Sequence, residues 1–472
     1  MSLQTDLPAV QAGTERPWYA EVTRYQWLVL VIASLGWIFD TFEGQIFVAS
    51  ENVVLRDLYT EGPEQSLTAA EQAGERAFQT HVILAAFLCG GSLGGVVFGM
   101  LSDRIGRSKT MIYTILMYSL FTFVSAAVVN WQQLAATRFL VAMGVGGEWA
   151  VASSLVAEVF PPRARARSLG IFHGSSVLGG LLGVGAGMLI PQFGWRVIYI
   201  AGALPALLTI WVRYSIREPE DWREARAKSA QDPTQQMGRV RDLFAPALIR
   251  NTLVGLGLAT VGLATYWGVF MYGQKLVRAV AEQSAVAAIH PGATGAEKGS
   301  RSKEAEDELK KEAEDAGQYA EMRGYLLATL GAGAGLLSFG PICERIGRRG
   351  AFLIFHLGGL VSSLVLFLGL AHAGVVAIGS FLPVFGFFIV GMHAGYAVYF
   401  PELFPTRMRG TGAGFCFNCG RLLAAPILIL KGVMQNHHIS LEHAASSLSV
   451  LFVLGCVLLI WAKETKDQPL PE

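Results

Sequence analysis

An all-α integral membrane protein with twelve spanning helices in two sets of six is the fold class predicted by this chain, and three observations carry it. Of its 472 residues, 52% are hydrophobic, only 15% are charged and 54 are glycines, a mixture unsuited to a soluble domain of this size. Apolar runs long enough to cross a bilayer recur along the whole chain, separated by short charged clusters. The clusters of the first half return in the second.

The runs lie at about 26 to 50, 80 to 101, 110 to 130, 132 to 157, 168 to 190, 195 to 215, 249 to 273, 322 to 342, 351 to 371, 374 to 400, 411 to 432 and 445 to 462. A spanning helix takes roughly 20 apolar residues to cross about 30 Å of hydrocarbon, so twelve use about 240 residues and leave the rest for loops and tails. The first 25 residues are polar, without a signal-peptide core and cleavage site, so the first run is expected to be retained as a span. Basic residues collect after even-numbered runs: Arg104, Arg107 and Lys109; Arg163, Arg165 and Arg167; Arg345, Arg348 and Arg349; Arg407 and Arg409. Those loops are therefore expected in the cytoplasm, with both termini on the same side of a cell (inner or plasma) membrane.

Two longer polar segments punctuate the pattern. Residues 216–248, which open "REPEDWREARAK", should form a cytosolic linker with some amphipathic helix between residues 1–215 and residues 249–472. Residues 274–320 should be an extracytoplasmic insertion; "KEAEDELKKEAED" carries mixed charge at helical spacing, as a solvated helix does.

Net charge is +1, from 37 basic and 36 acidic side chains, so no global field points to nucleic acid. The five cysteines, Cys89, Cys343, Cys416, Cys419 and Cys456, lie in or beside apolar runs, as small packing residues do, and no metal site is expected, although Cys416 and Cys419 spell C-x-x-C. No P-loop, zinc spacing, dinucleotide fingerprint or Ser-His-Asp group emerges, so neither an enzyme nor a cofactor is expected.

The repeats are specific. "GMLSDRIGRSK" at 99 to 109 returns as "GPICERIGRRG" at 340 to 350, and "AEVFPPRARARSLG" at 157 to 170 returns as "PELFPTRMRGTG" at 401 to 412. A parallel duplication of this kind implies two bundles about an axis normal to the membrane, with a binding site between them. At Gly99, Asp103, Arg104, Gly106 and Arg107 the chain resembles the major facilitator superfamily, over essentially its whole length. "FDTFEG", "RFLVAMGVGGEW" and the E-x-F-P-x-x-x-R blocks are similar to the proton-linked sugar and organic-acid porters, and "GGEW" to bacterial metabolite:proton symporters. Where sugar porters usually supply Gln, Asn and Trp, this chain reads "GIFHGSSVLGG", "TVGLATYWG" and "VGMHAGY"; "FNCGRLLAAP" looks like the aromatic-acid and organic-anion branches. The resemblance thus implies the major facilitator fold, transport by alternating access, and a carboxylate solute in preference to a sugar.

Charges inside apolar helices cost several kcal/mol, so they survive where they pair or line a wet cavity. They are Asp40 and Glu43 in the first span, Arg138 and Glu148 in the fourth and Arg421 in the eleventh. At 1.5 Å per residue, Asp40 sits about 24 Å above Arg24 and Arg138 about 12 Å below Asn130, which predicts similar depths. A carboxylate facing a guanidinium is poised between charged and neutral forms. The resemblance extends a proton-coupling role to Asp40 and Arg138; the alternative is a permanent ion pair. Glu43 is either a second proton carrier or an acid near the outer mouth, and Glu148 either relays a proton or hydrogen-bonds within "GVGGEW".

Arg421 lies about 18 Å beyond Arg409, near the midplane, where its fork would suit a carboxylate; otherwise it pairs with an acid or a carbonyl. Asn418 shares its face, and Trp149, His173, Tyr266, Trp267 and His393 are further candidates for the solute site, although a lone histidine among apolar residues, such as His173 or His393, is more often a packed, satisfied side chain than a ligand. Gly99, Asp103, Arg104, Gly106, Arg107, Glu158, Arg163 and Arg167, mirrored by Glu344, Arg345, Gly347, Arg348, Glu402 and Arg407, should form a cytosolic gate whose contacts break when that face opens. The expected partners are a small solute, an organic anion before a sugar, with a proton and the lipid bilayer; no nucleic acid is expected, and the protein should be a monomer. A sugar or polyol transporter, a receptor that binds without transport and a drug exporter are the rival readings, the last disfavoured by the cationic Arg421.

Overall fold

A chain crossing lipid must satisfy its backbone groups within each segment, which for apolar runs of this length means helices. The computed structural model describes residues 17–59, 69–289, 303–427, 430, 434 and 439–472, and the secondary structure among them is helical. Helices α1 (Arg24–Tyr59), α2 (Ala69–Ile105), α3 (Arg107–Ser125) and α4 (Trp131–Val159) carry the first four runs. Asn130 caps α4 by accepting the Gln133 N–H. The fifth run is divided into α5 (Pro162–Gly174) and α6 (Ser176–Phe193), and the sixth holds α7 (Trp195–Ala201) and α8 (Leu208–Ser215). The linker carries α9 (Glu220–Gln231), whose Trp222 is buried while its charges face out.

In the second half, α10 (Ile249–Thr265) continues through a π-helical turn at Tyr266–Phe270 into α11 (Met271–Ile289). Helix α12 (Lys303–Leu364) begins with the "KEAEDELKKEAED" segment and turns sharply at Gly347. Residues 290–302 of the expected insertion lie outside the described residues. Then come α13 (Val375–Gly391), α14 (His393–Leu403), α15 (Arg409–Ala424) and two closing helices, Leu441–Leu448 and Val450–Leu458. Part of the eleventh run, within 428–438, also lies outside the described residues.

Among the described residues, nine helical stretches are long and apolar enough to cross a membrane. The shortfall from twelve has local causes. The stretch Lys310–Gly369 is one of the nine although the chain reverses at Gly347 inside it, α3 is rich in Ser, Thr and Tyr, and α15 has only 16 residues among those described. The protein is thus an all-α, multi-pass membrane protein.

Helix α4 is the hub of the first half, packed against α2, α3 and α1, and α12 plays that part in the second, packed against α13 and α11. The halves meet where α2 lies on α15, α5 on α12 and α14, and α4 on α15. At Gly99 a Cβ would fall 2.6 Å from the Gly410 carbonyl oxygen, so only glycine lets α2 and α15 touch there. Gly106 and Gly347 hold φ of 115° and 86°, the left-handed turn that ends one helix and starts the next at equivalent points of the two halves.

Candidate functional site

The charged network expected as a gate is assembled from helix ends. The Asp103 carboxylate, at the end of α2, accepts the backbone N–H of Gly410 at 3.0 Å and of Thr411 at 2.8 Å, and the Thr411 hydroxyl at 2.6 Å. An acid from the first half therefore sits on the positive N-terminus of α15 in the second. Arg107 holds Asp103 at 2.7 Å and forks onto Glu158 at 2.7 and 3.1 Å. Arg409 reaches across the halves to the same Glu158 oxygen, also at 2.7 Å. All four side chains are fully buried, so each charge depends on the others for compensation.

The second half repeats the fork: Arg348 binds Glu402 at 2.7 and 2.9 Å. Its Glu344, the counterpart of Asp103, instead pairs with Arg167 of the first half at 2.6 Å. Four expected gate residues stand apart from these carboxylates. Arg163 is exposed and comes only within 3.7 Å of Glu21, and Arg345 is exposed. Arg104 donates to the linker carbonyls of Met237 and Gly238, and Arg407 pairs with Asp242 at 3.1 Å. Their spacing matches the motif, but helical phase turns them toward the linker or solvent.

Three members of the network escaped the sequence reading. Arg409 was used there only to orient the chain, yet it bridges the halves. Glu218 accepts the N–H of Arg107 at 2.6 Å, and Glu464 those of Arg348 and Arg349 at 2.9 and 3.1 Å. Each thus caps the helix that starts after a left-handed glycine. The signal was present: "REPED" and "KETKD" follow the sixth and twelfth runs, with these glutamates 246 residues apart.

Among the intramembrane charges, the expected facing of Asp40 and Arg138 is corrected. Arg138 turns to Glu43, donating to its backbone oxygen at 2.7 Å with the carboxylate at 3.8 Å, and lies over the Phe87 ring at 4.9 Å. Glu43 is about 4.5 Å further along α1, within the error of counting residues from a helix end. The Asp40 oxygens are buried and have no hydrogen-bond partner among the described residues. Asp40 lies within electrostatic reach of Glu148, Glu43 and Arg421. Glu148 accepts the Thr114 hydroxyl at 2.5 Å, and a Cβ on Gly36 would sit 2.7 Å from its other oxygen.

Arg421 makes no ion pair or hydrogen bond among the described residues and lies over the Phe417 ring at 5.2 Å. It is half-buried, and a Cβ on Gly91 would be 3.0 Å from its Nη1, so the guanidinium points at α2 across the interface of the halves. The following Leu422 and Leu423 are exposed on the opposite side of α15. Asn418, one turn earlier, is engaged with protein: its amide donates to Gly146 and Gly414 at 3.2 and 3.1 Å. Trp149 stacks on Phe417 at 4.0 Å and donates to His173 at 3.1 Å, and His393 lies 3.2 Å from the Gly262 carbonyl. Asn418, Trp149, His173 and His393 are therefore engaged with protein in this conformation. Tyr266 and Trp267 are half-buried at the π-helical turn. His173, Tyr266 and His393 all sit at breaks in their helices, next to the α5–α6 junction, in the π turn and at the start of α14. Such breaks free backbone polar groups near the middle of a span.

Residues 62–296 match the family model described as Major Facilitator Superfamily, and residues 324–472 match Sugar (and other) transporter. The chain belongs to the major facilitator superfamily. It is a transporter rather than an enzyme, related to the sugar-porter and metabolite-symporter branches. Its relatives include the cis,cis-muconate transport protein of Acinetobacter baylyi, 27% identical over 81% of this chain and 84% of that one. The niacin transporter NiaP of the same species is 26% identical, covering 95% and 96%, and the sialic acid transporter NanX of Escherichia coli is 24% identical, covering 87% and 88%. The solved proton:xylose symporter XylE shares the fold of this transporter, with a TM-score of 0.67, 16% identity and coverage of 94% and 98%.

Proposed function

We propose that this transporter is a proton-coupled symporter of a small organic anion, working by alternating access between two six-helix bundles, residues 1–215 and 249–472, joined by a cytosolic linker at 216–248. The twelve spans then include α3, α15 and the two arms of α12 on either side of Gly347, and the gate faces the cytoplasm, where the basic loops belong. The observation that carries the reading is Arg421, a guanidinium in mid-span without an ion-pair partner among the described residues, aimed across the interface of the halves with Asp40 in electrostatic reach.

A bound carboxylate supplies the partner that Arg421 lacks, through two charge-assisted hydrogen bonds strengthened by low dielectric. It also competes with Asp40 for the same cation. When the solute neutralises Arg421, a charged Asp40 loses the one opposing cation in its reach among the described residues and takes up a proton, so solute and proton load together. Muconate and sialic acid, solutes of two relatives, are carboxylates, which fits this chemistry.

The test is uptake into proteoliposomes from a panel of organic acids and sugars, with internal pH recorded. Acids should be accumulated and should compete with one another while sugars do not. Asp40→Asn should abolish uphill uptake but keep exchange, and Arg421→Gln should raise the half-saturation concentration for acids. Sugar uptake with unchanged kinetics in Arg421→Gln would overturn the anion reading. Saturable binding without accumulation would make the protein a receptor.

A further inference from the structure

Helix α3 carries Thr114, Tyr118 and Thr122 at four-residue intervals, which stacks their hydroxyls in one stripe about 12 Å long. Each end of the stripe holds a buried acid. Thr114 donates to Glu148 at 2.5 Å, and Thr122 donates to Glu43 at 2.6 Å. Midway lies Tyr118, wholly buried, its hydroxyl without a hydrogen-bond partner among the described residues. That hydroxyl lies within electrostatic reach of Asp40, Glu148 and Glu43 together. Leaving a phenol and both oxygens of a carboxylate unpaired in a membrane interior costs stability, and such costs persist where they serve a function.

The ionisable groups facing this column are Asp40 and Glu43 of α1, Tyr118 of α3, Arg138 and Glu148 of α4, Tyr199 of α7 and Arg421 of α15. Arg138 is committed to Glu43, and the Tyr199 hydroxyl to Ser50 at 3.2 Å. Tyr118 is therefore the hydroxyl left open, among the described residues, within electrostatic reach of both Asp40 and Glu148. We propose that Tyr118 relays a proton between Asp40 and Glu148, along a path wholly inside the first half and separate from the solute seat at Arg421.

In the step, the O–H bond of protonated Asp40 breaks as its proton passes, through a bridging water, to the phenol oxygen. The phenol O–H breaks as its own hydrogen passes to the Glu148 carboxylate. One proton moves, the phenol ends as it began, and no electrons are exchanged. This deepens the proton-coupled reading above and rests on it. It places the proton path in α1, α3 and α4, so that the solute and its co-transported proton do not compete for one channel.

The test needs no transported solute, so its outcome is separable from that of the acid and sugar panel. The full chain in lipid vesicles is moved from H2O to D2O buffer and the infrared band of protonated carboxyl groups is followed, with Asp40→Asn and Glu148→Gln assigning its components. Tyr118→Phe removes one oxygen that has no hydrogen bond to lose among the described residues, so the melting temperature should hold. Deuterium exchange at Glu148 should slow roughly tenfold or more, as loss of a positioned proton carrier does. Tyr118→Leu, equally without an exchangeable proton, must show the same slowing. Wild-type exchange rates in both variants, or no protonated-carboxyl component from Asp40 or Glu148 at any pH the fold survives, would overturn the relay.

Discussion

Two arginines deep in the same protein illustrate how differently one residue type can be used. Arg138 is tied to Glu43 and roofed by Phe87, so removing its charge strands a buried carboxylate. Arg138→Gln should therefore cost about 3 to 5 kcal/mol, seen as a lower melting temperature in detergent. Arg421 has no such partner, and Arg421→Gln should leave the melting temperature unchanged or raise it while weakening acid binding. Equal losses of stability in the two variants would mean that Arg421 is a structural charge. The existence of these costly residues was legible in the sequence because lipid tolerates so few charges. Which acid faces which arginine was not, since one helical turn, about 5.4 Å, exceeds the length of an ion pair and is smaller than the error in a helix boundary.

Helix ends carry the contacts that join the two halves. Asp103 on the N-terminus of α15 combines charge-assisted hydrogen bonds with the helix dipole. Asp103→Asn should weaken closure of the gated face by about 1 to 3 kcal/mol, measured as a broader distance distribution between spin labels on the ends of α2 and α15. Glu218 and Glu464 each cap a helix in a different half. Glu218→Gln and Glu464→Gln should each cost about 1 kcal/mol, and the double variant the sum, since the two cap different helices and share no hydrogen-bond partner. Thermal melting of the three variants checks this, and a double-variant loss well above the sum would reveal one shared network. The duplicated motifs foretold such a network. The turn of Arg104 and Arg407 toward the linker did not show in the motif, because spacing fixes the loop while the linker's path fixes what the loop meets.

At the scale of the molecule, the conformation described has its halves joined through the charged-loop ends, by Asp103 with Thr411, Glu158 with Arg409 and Arg167 with Glu344. A Cβ on Gly174 of α5 would lie 3.5 Å from the Leu336 Cβ of α12, a separation that suits a disulfide. Gly174→Cys with Leu336→Cys, in a background lacking the five native cysteines, should stop transport on oxidation and recover with reductant. Transport that continues with the bond formed would mean that α5 and α12 stay together through the cycle, against alternating access.

Composition and periodicity alone determined that the chain is helical and crosses a membrane many times, because a continuous apolar run of about 20 residues can satisfy its own backbone in oil only as a helix. Internal repetition likewise foretold paired, charged loops. Only the tertiary structure decided that Arg138 answers to Glu43, that Arg409 pairs with Glu158 across the halves and that Asn418 and Trp149 serve the packing between the halves. Those choices depend on helix rotation and on the approach of distant segments, which act at the scale of a single side chain and leave no trace in hydrophobic pattern.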